Sequence, residues 1–103
     1  MSISTANVTT AGNVVYTSSG NTAVTFLSLC NYGAGNLTAN LYIVPNGSSV
    51  SNSTISLASL QLISLDTYQI YSGGEKLLLE NGDTISVNAS ANTVTAVVSY
   101  TSI

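Results

Sequence analysis

The C-terminal stretch of the chain, residues 77–103, contains two segments in which polar and apolar side chains alternate. In Thr84–Asn88 and again in Val94–Tyr100, every second residue is apolar. A period of two is the pattern of a β-strand, because successive side chains of a strand point to opposite faces. The stretch between them, Asn88–Asn92, is short and polar. The two segments are therefore predicted to form antiparallel strands joined by a turn.

Turn-forming residues divide the rest of the chain in a similar way. Asn81-Gly82 tolerates a positive φ, and Pro45-Asn46-Gly47 ends an apolar run. The composition of Ser72–Glu75 is typical of a hairpin turn. No helical periodicity persists for more than two turns. Residues 54–64 fit either a strand or a short helical turn. The other predicted strands lie at residues 13–18, 22–32, 37–44, 67–71 and 76–79.

Short strands with turn signals about every 8–12 residues are typical of a sandwich or a small barrel. We predict an all-β fold, an antiparallel β-sandwich of about eight short strands with Ig-like or jelly-roll topology. The length of 103 residues fits one domain. Residues 13–103 are predicted to form this single domain, and residues 1–12 an N-terminal arm or an edge strand.

Charge is scarce in this chain. Charged residues are 5% of the sequence, against about 25% in a typical domain. Binding to nucleic-acid phosphates or to an anionic membrane needs several Lys or Arg, so neither partner is predicted. Little self-repulsion keeps copies apart, which is compatible with close packing of many copies. A secreted protein with a Ser/Thr-rich surface would have the same composition.

Targeting signals are not apparent. No apolar run approaches the ~20 residues of a membrane-spanning helix. The segment Met1–Thr10 lacks the basic region and the apolar region of a secretory signal. We therefore predict synthesis in the cytoplasm without a signal peptide.

The segment Thr22–Tyr32 is apolar on both faces of its predicted strand. Simple alternation places Val24, Phe26 and Cys30 on one face and Ala23, Leu27 and Leu29 on the other. A strand of this kind is covered on both sides. One face would pack on the core and the other would meet a neighbouring subunit; a central strand beneath a loop is the alternative. The possible interface residues are Ala23, Leu27, Leu29 and Val97.

Catalytic groups are sparse. The chain has no histidine, which excludes a Ser-His-Asp triad and leaves Cys30 without a basic partner. Cys30 is the only cysteine, so no intrachain disulfide can form. We predict that it is a small buried hydrophobe, with an intersubunit disulfide as the alternative. Lys76 lies beside a turn, where hydration would keep it charged and unsuited to activating a serine. No catalytic residue and no cofactor are predicted.

The four acidic residues suggest two sites, neither of which is favoured. Glu80 and Asp83 flank the Asn81-Gly82 turn and could bind Ca²⁺, but capping of backbone N–H groups is the commoner use. Asp66 and Glu75 could act as a pair of glycosidase carboxylates, yet nothing in the sequence determines their separation. No metal site is predicted.

Six tyrosines raise carbohydrate binding as a second class of function. Tyrosine rings can stack on sugars, and they also pack in cores and interfaces with the hydroxyl at an edge. We predict the packing role. A solvent-facing row of rings would favour sugar binding instead. The tyrosines are Tyr16, Tyr32, Tyr42, Tyr68, Tyr71 and Tyr100.

Four short sequence segments, called phrases below, follow one another in a recognisable order. They are FLSLCN at Phe26–Asn31, LYIVPNG at Leu41–Gly47, LLLENGDTISV at Leu77–Val87, and the closing strand Val94–Ile103. In these phrases and in their order, the chain from about Asn13 onward resembles a group of small virion proteins of tailed bacteriophages.

The resemblance implies a non-enzymatic, multimeric virion protein, either a head decoration (cement) subunit or an accessory of the neck, tail or fibre. Its partners would be other virion proteins, such as the major capsid protein. A homotrimer would suit the threefold sites of shells and fibres. Capsid decoration is the first expectation. A tail, neck or fibre accessory and a carbohydrate-binding or host-adhesion module are the alternatives.

Overall fold

The computed structural model describes residues 2–51, 53–70 and 77–103, which form nine β-strands and no helix. This confirms the predicted all-β fold. The strands are β1 Ser2–Val8, β2 Asn13–Thr17, β3 Thr22–Asn31, β4 Leu37–Val44, β5 Ile55–Leu62, β6 Thr67–Ile70, β7 Leu77–Leu79, β8 Thr84–Ala89 and β9 Val94–Ser102.

The strands pair antiparallel in two sheets. Sheet A has the order β1-β9-β3-β6, with β7 also pairing with β3, and sheet B has the order β2-β8-β4-β5. The pairs β4–β5, β3–β6, β2–β8 and β1–β9 are nested within one another along the chain. A long hairpin that is rolled into two sheets has this nested order. Between the two predicted topologies, the strand order is that of a jelly roll.

The core lies between the two sheets. Each sheet contributes one face of alternating apolar side chains, each worth roughly 1.5–3 kcal/mol when fully buried. The closing strands contribute Ile85 and Val87 from β8 and Val94, Ala96 and Val98 from β9, all buried. The alternation that is visible in the sequence of these two strands therefore corresponds to their core-facing positions.

A β-bulge in β3 makes the predicted assignment of its faces wrong. Val24 pairs with Tyr100 and Phe26 pairs with Ser99, so Thr25 is an extra residue relative to β9. One extra residue reverses the alternation beyond it. The core face consequently carries Val24, Leu27 and Leu29, and the outer face carries Ala23, Phe26, Ser28 and Cys30. Leu27 and Leu29, two of the predicted interface residues, are only 1% exposed.

The ambiguous segment 54–64 contains an edge strand, β5, and not a helical turn. Its pairing with β4 has two register shifts, and Ser59 has a φ of 52°. These irregularities explain why its sequence alternates poorly. The N-terminal residues 2–8 form β1 at the edge of sheet A. The predicted turn at Ser72–Glu75 lies outside the described residues.

Asn31, at the end of β3, connects three parts of the fold. Its side chain is fully buried, and Nδ2 donates to the carbonyl oxygens of Gly35 (2.8 Å) and Leu62 (3.1 Å). Oδ1 accepts from Gly33 N (3.0 Å) and from Thr93 Oγ1 (3.1 Å). All four hydrogen-bonding positions of the amide are used. The side chain thus ties together the loop after β3, the end of β5 and the turn before β9.

We expect Asn31→Asp to lower the free energy of unfolding by about 3 kcal/mol, because a carboxylate oxygen on a fully buried side chain would replace the Nδ2 donor against the carbonyl oxygens of Gly35 and Leu62. Denaturant titration measures this. The matched control is Asn36→Asp: the exposed Asn36 uses only Oδ1, which accepts from Ser64 N, and aspartate keeps that acceptor. It should change stability by less than about 0.5 kcal/mol. Equal losses in both variants would contradict the role of Asn31.

Candidate interaction surfaces

The charges of the described residues lie at the two ends of the sandwich. None of the nine described strands contains a charged residue. Asp66 lies in the turn before β6, next to the end of β3, where its carbonyl oxygen accepts from Asn31 N (2.9 Å). Glu80 and Asp83 lie in the turn before β8, near the opposite end of β3, where Thr22 pairs with Leu79. Both broad faces of the sandwich are therefore neutral across the described strands.

The outer face of sheet A, called face A, combines apolar and uncharged polar side chains. Register and alternation identify its members. The apolar members are Ile3, Ala23, Phe26, Cys30, Leu78 and Val97, and the polar members are Thr5, Asn7, Ser28, Thr67, Gln69, Thr95, Ser99 and Thr101.

Phe26 lies at the centre of face A. It is the only phenylalanine of the chain, and it is half-buried on the outer face instead of contributing to the core. Ile3 on β1 (68% exposed) and Leu78 on β7 (66% exposed) border the face on its two sides. An outward aromatic residue on a face whose described strands carry exposed aliphatic side chains and no charge resembles the core of a protein interface.

The four predicted interface residues are divided between the core and face A. Leu27 and Leu29 are in the core. Ala23 belongs to face A but is only 3% exposed, between its cross-strand partners Leu78 and Thr101. Val97 is on face A and half-buried. Alternation could not identify Phe26 as an outward residue, because only the register with β9 reveals the bulge at Thr25.

Cys30 is also on face A. The prediction that it is a buried hydrophobe is wrong, because the thiol-bearing residue is half-buried and free, between Thr95 of β9 and Thr67 of β6. Its position on the outer face follows from the same bulge.

The outer face of sheet B, called face B, carries amide side chains that are already hydrogen-bonded to each other. Asn40 Nδ2 donates to Asn88 Oδ1 (2.8 Å), and Asn40 Oδ1 accepts from Ser59 N (2.7 Å). A shallow pocket of about 180 Å³ lies beside them, lined in part by Val14, Tyr42 and Asn88. Tyr42 is only 9% exposed, so its ring offers little surface for stacking on a sugar.

Most of the described tyrosines pack against protein. Tyr16 is buried, and its ring centroid lies 4.3 Å from that of Tyr100. Tyr68 and Tyr100 are partly buried against the core. Tyr32 is exposed, and its hydroxyl donates to Asn7 Oδ1 (2.8 Å). No solvent-facing row of tyrosines occurs in the described part of the chain, and Tyr71 lies outside it.

Asp83 caps the turn between β7 and β8. Oδ1 accepts from Asn46 N and Oδ2 accepts from Glu80 N, each at 2.9 Å. These bonds use the carboxylate for the capping role that the sequence favours over Ca²⁺ binding. Residues 2–51, 53–70 and 77–103 contain no group of three or more His, Cys, Asp or Glu side chains that could hold a metal ion. The other candidate carboxylate pair, Asp66 and Glu75, is not tested, because Glu75 lies outside the described residues, as does Lys76.

Comparison with known proteins identifies no relative: no family model, no curated protein and no solved structure matches this chain. Nor do the residues that the structure describes include a helix long and apolar enough to span a membrane.

Gly82→Ala should destabilise the fold by about 1–2 kcal/mol, from backbone strain and from displacement of the Asn46 side chain. Gly82 has a φ of 87°, and an added Cβ would lie 2.6 Å from Asn46 Cγ, so the exposed Asn46 side chain would have to move. The matched control is Gly20→Ala, where φ is 72° but no atom lies within 4 Å of the new Cβ. This variant should lose only about 1 kcal/mol, from backbone strain. Thermal or denaturant unfolding measures both, and a smaller loss at Gly82 than at Gly20 would contradict the close contact with Asn46.

Proposed function

We propose that this chain is a non-enzymatic structural subunit that packs against other proteins through face A. The observation that carries the proposal is the neutrality of the described strands: no charged residue occurs in any of them, and the chain's only phenylalanine is on an outer face. Charged side chains normally keep soluble sheets apart, and interface cores are depleted of charge and enriched in aromatic residues.

We further propose that the assembly is the virion of a tailed bacteriophage, with decoration of the capsid shell as the first position and the neck, tail or fibre as the others. The resemblance of the phrases Phe26–Asn31, Leu41–Gly47 and Leu77–Val87 supports this proposal. Jelly-roll topology supports it as an analogy of fold, since viral capsid domains use it, as do lectins and cupins. The partners would be other virion proteins.

The placement of the tyrosines supports a structural role over carbohydrate binding. A sugar-binding platform needs aromatic rings that are open to solvent, whereas Tyr16 and Tyr42 are buried and Tyr68 and Tyr100 pack on the core. The amides of Asn40 and Asn88, which could otherwise bind sugar hydroxyls, hydrogen-bond to each other.

Val97→Lys tests the proposed role of face A. Val97 points outward between Thr5 and Ser28, so lysine can reach solvent in the free subunit, whereas it would be buried without a partner in an assembled one. We expect incorporation into particles to fall at least tenfold, with the fold retained by circular dichroism. Thr38→Lys is the matched control and should incorporate normally, because Thr38 is exposed and lies on face B between the core residues Leu37 and Ala39.

The measurement is the number of copies per particle, by mass spectrometry and cryo-EM of virions purified from the phage that encodes the chain. Equal incorporation of both lysine variants would show that face A is not the contact. Absence of the wild-type chain from every particle would overturn the virion proposal.

A further inference from the structure

The edge strands of the two sheets differ in how well they are protected against pairing with another chain. On sheet B, the pairings of β2 and β5 with their neighbours have register shifts. On the far edge of sheet A, the described strands β6 and β7 have four and three residues and pair with separate parts of β3, so no long described strand runs along this edge. Bulges and short strands are common means by which natural sheets prevent edge-to-edge pairing.

The remaining edge, β1, has none of these protections. Its seven residues pair with β9 in an unbroken register, from Ser2 opposite Tyr100 to Val8 opposite Val94. The strand contains no proline, no glycine and no charged side chain. A regular, uncharged edge of this length is a template for another strand.

The β1 edge is held in place by contacts on its core side and at its end. Ser4 Oγ donates to the carbonyl oxygen of Val15 (3.1 Å), which ties β1 to sheet B. After the strand, Thr9 N donates to Asn13 Oδ1 (2.9 Å). An edge that is already ordered loses little conformational entropy when a partner strand binds.

We propose that β1 pairs antiparallel with β1 of a second copy of this chain, across a two-fold axis at Thr5. This inference rests on the proposed function, because it names one contact by which the subunits assemble. A pairing that uses all seven residues must be centred on Thr5, the middle residue of Ser2–Val8. The cross-strand pairs are then Ser2–Val8, Ile3–Asn7, Ser4–Ala6 and Thr5–Thr5.

A second copy of this chain is the partner that the sequence of β1 favours for pairing with its free edge. No pair in this register brings two charges together, and Thr–Thr is a stabilising cross-strand pair. A two-fold axis normal to the sheet makes the contact closed and self-complementary. It also joins the two A sheets into one and places both A faces on the same side, which doubles the neutral surface offered to another virion protein.

The test is the mass of the purified chain by sedimentation equilibrium, compared between two double variants. Ile3→Lys with Asn7→Lys places like charges opposite each other twice in the proposed register, whereas Ile3→Glu with Asn7→Lys places opposite charges there. Both variants lose the Asn7 acceptor for the Tyr32 hydroxyl, so that loss cancels in the comparison. Thr38→Lys with Thr17→Lys, at exposed positions on two strands of sheet B that do not pair with each other, controls for added positive charge.

We expect the wild-type chain to have twice the monomer mass of 10.5 kDa. The Lys/Lys variant at positions 3 and 7 should dissociate at least tenfold more readily, and the Glu/Lys variant and the sheet B control should remain dimeric. Hydrogen exchange should show extra protection of Ser2–Val8 amides in the dimer, which the Lys/Lys variant loses.

Several results would overturn the inference. These are a monomeric wild-type chain, a trimer whose mass the variants do not change, and dimers in which the Lys/Lys and Glu/Lys variants behave alike. A wild-type chain that is monomeric yet present on particles would overturn the β1 pairing alone. Absence from particles, with β1 pairing intact, would overturn the virion proposal alone.

Discussion

The pairing of β3 with β9 is the constraint on which the rest of the structure depends. These strands lie at the centre of sheet A and pair from Thr22–Ser102 to Asn31–Val94. Their register, with its bulge at Thr25, decides which side chains enter the core and which form face A. At the end of β3, the buried amide of Asn31 then fixes the positions of the neighbouring loop, strand and turn through four hydrogen bonds.

Neutral strands connect this architecture to the proposed function. A sandwich whose described charges all lie in turns can be stable alone, because the hydrophobic core and the hydrogen-bond network do not depend on surface charge. What it lacks is the electrostatic repulsion that keeps sheet faces and edges apart. Face A and the β1 edge are two surfaces with this property. We propose that the first binds a partner through its aromatic centre and that the second pairs its unbroken backbone with an identical strand.

Much of the fold could be predicted from residues whose conformational preferences are strong. Asn81-Gly82 and Pro45-Asn46-Gly47 do occupy turns, and Asp83 caps one of them as its position suggests. The alternating segments at Thr84–Asn88 and Val94–Tyr100 are strands. The candidate surface was harder to predict. In a run that is apolar on both faces, such as Thr22–Asn31, alternation does not show which face points to the core. The sequence therefore placed Phe26 and Cys30 in the core.

The sequence by itself determined the fold class, the turns at Asn46-Gly47 and Asn81-Gly82, and the scarcity of charge, since these depend on local backbone preference and composition. Only the tertiary structure decided the jelly-roll order, the outward position of Phe26, and the place of β1 as a regular edge. The physical reason is that side-chain direction in a strand has a period of two. A single extra residue reverses every later position, and its location is set by pairing with a strand about seventy residues away in the chain.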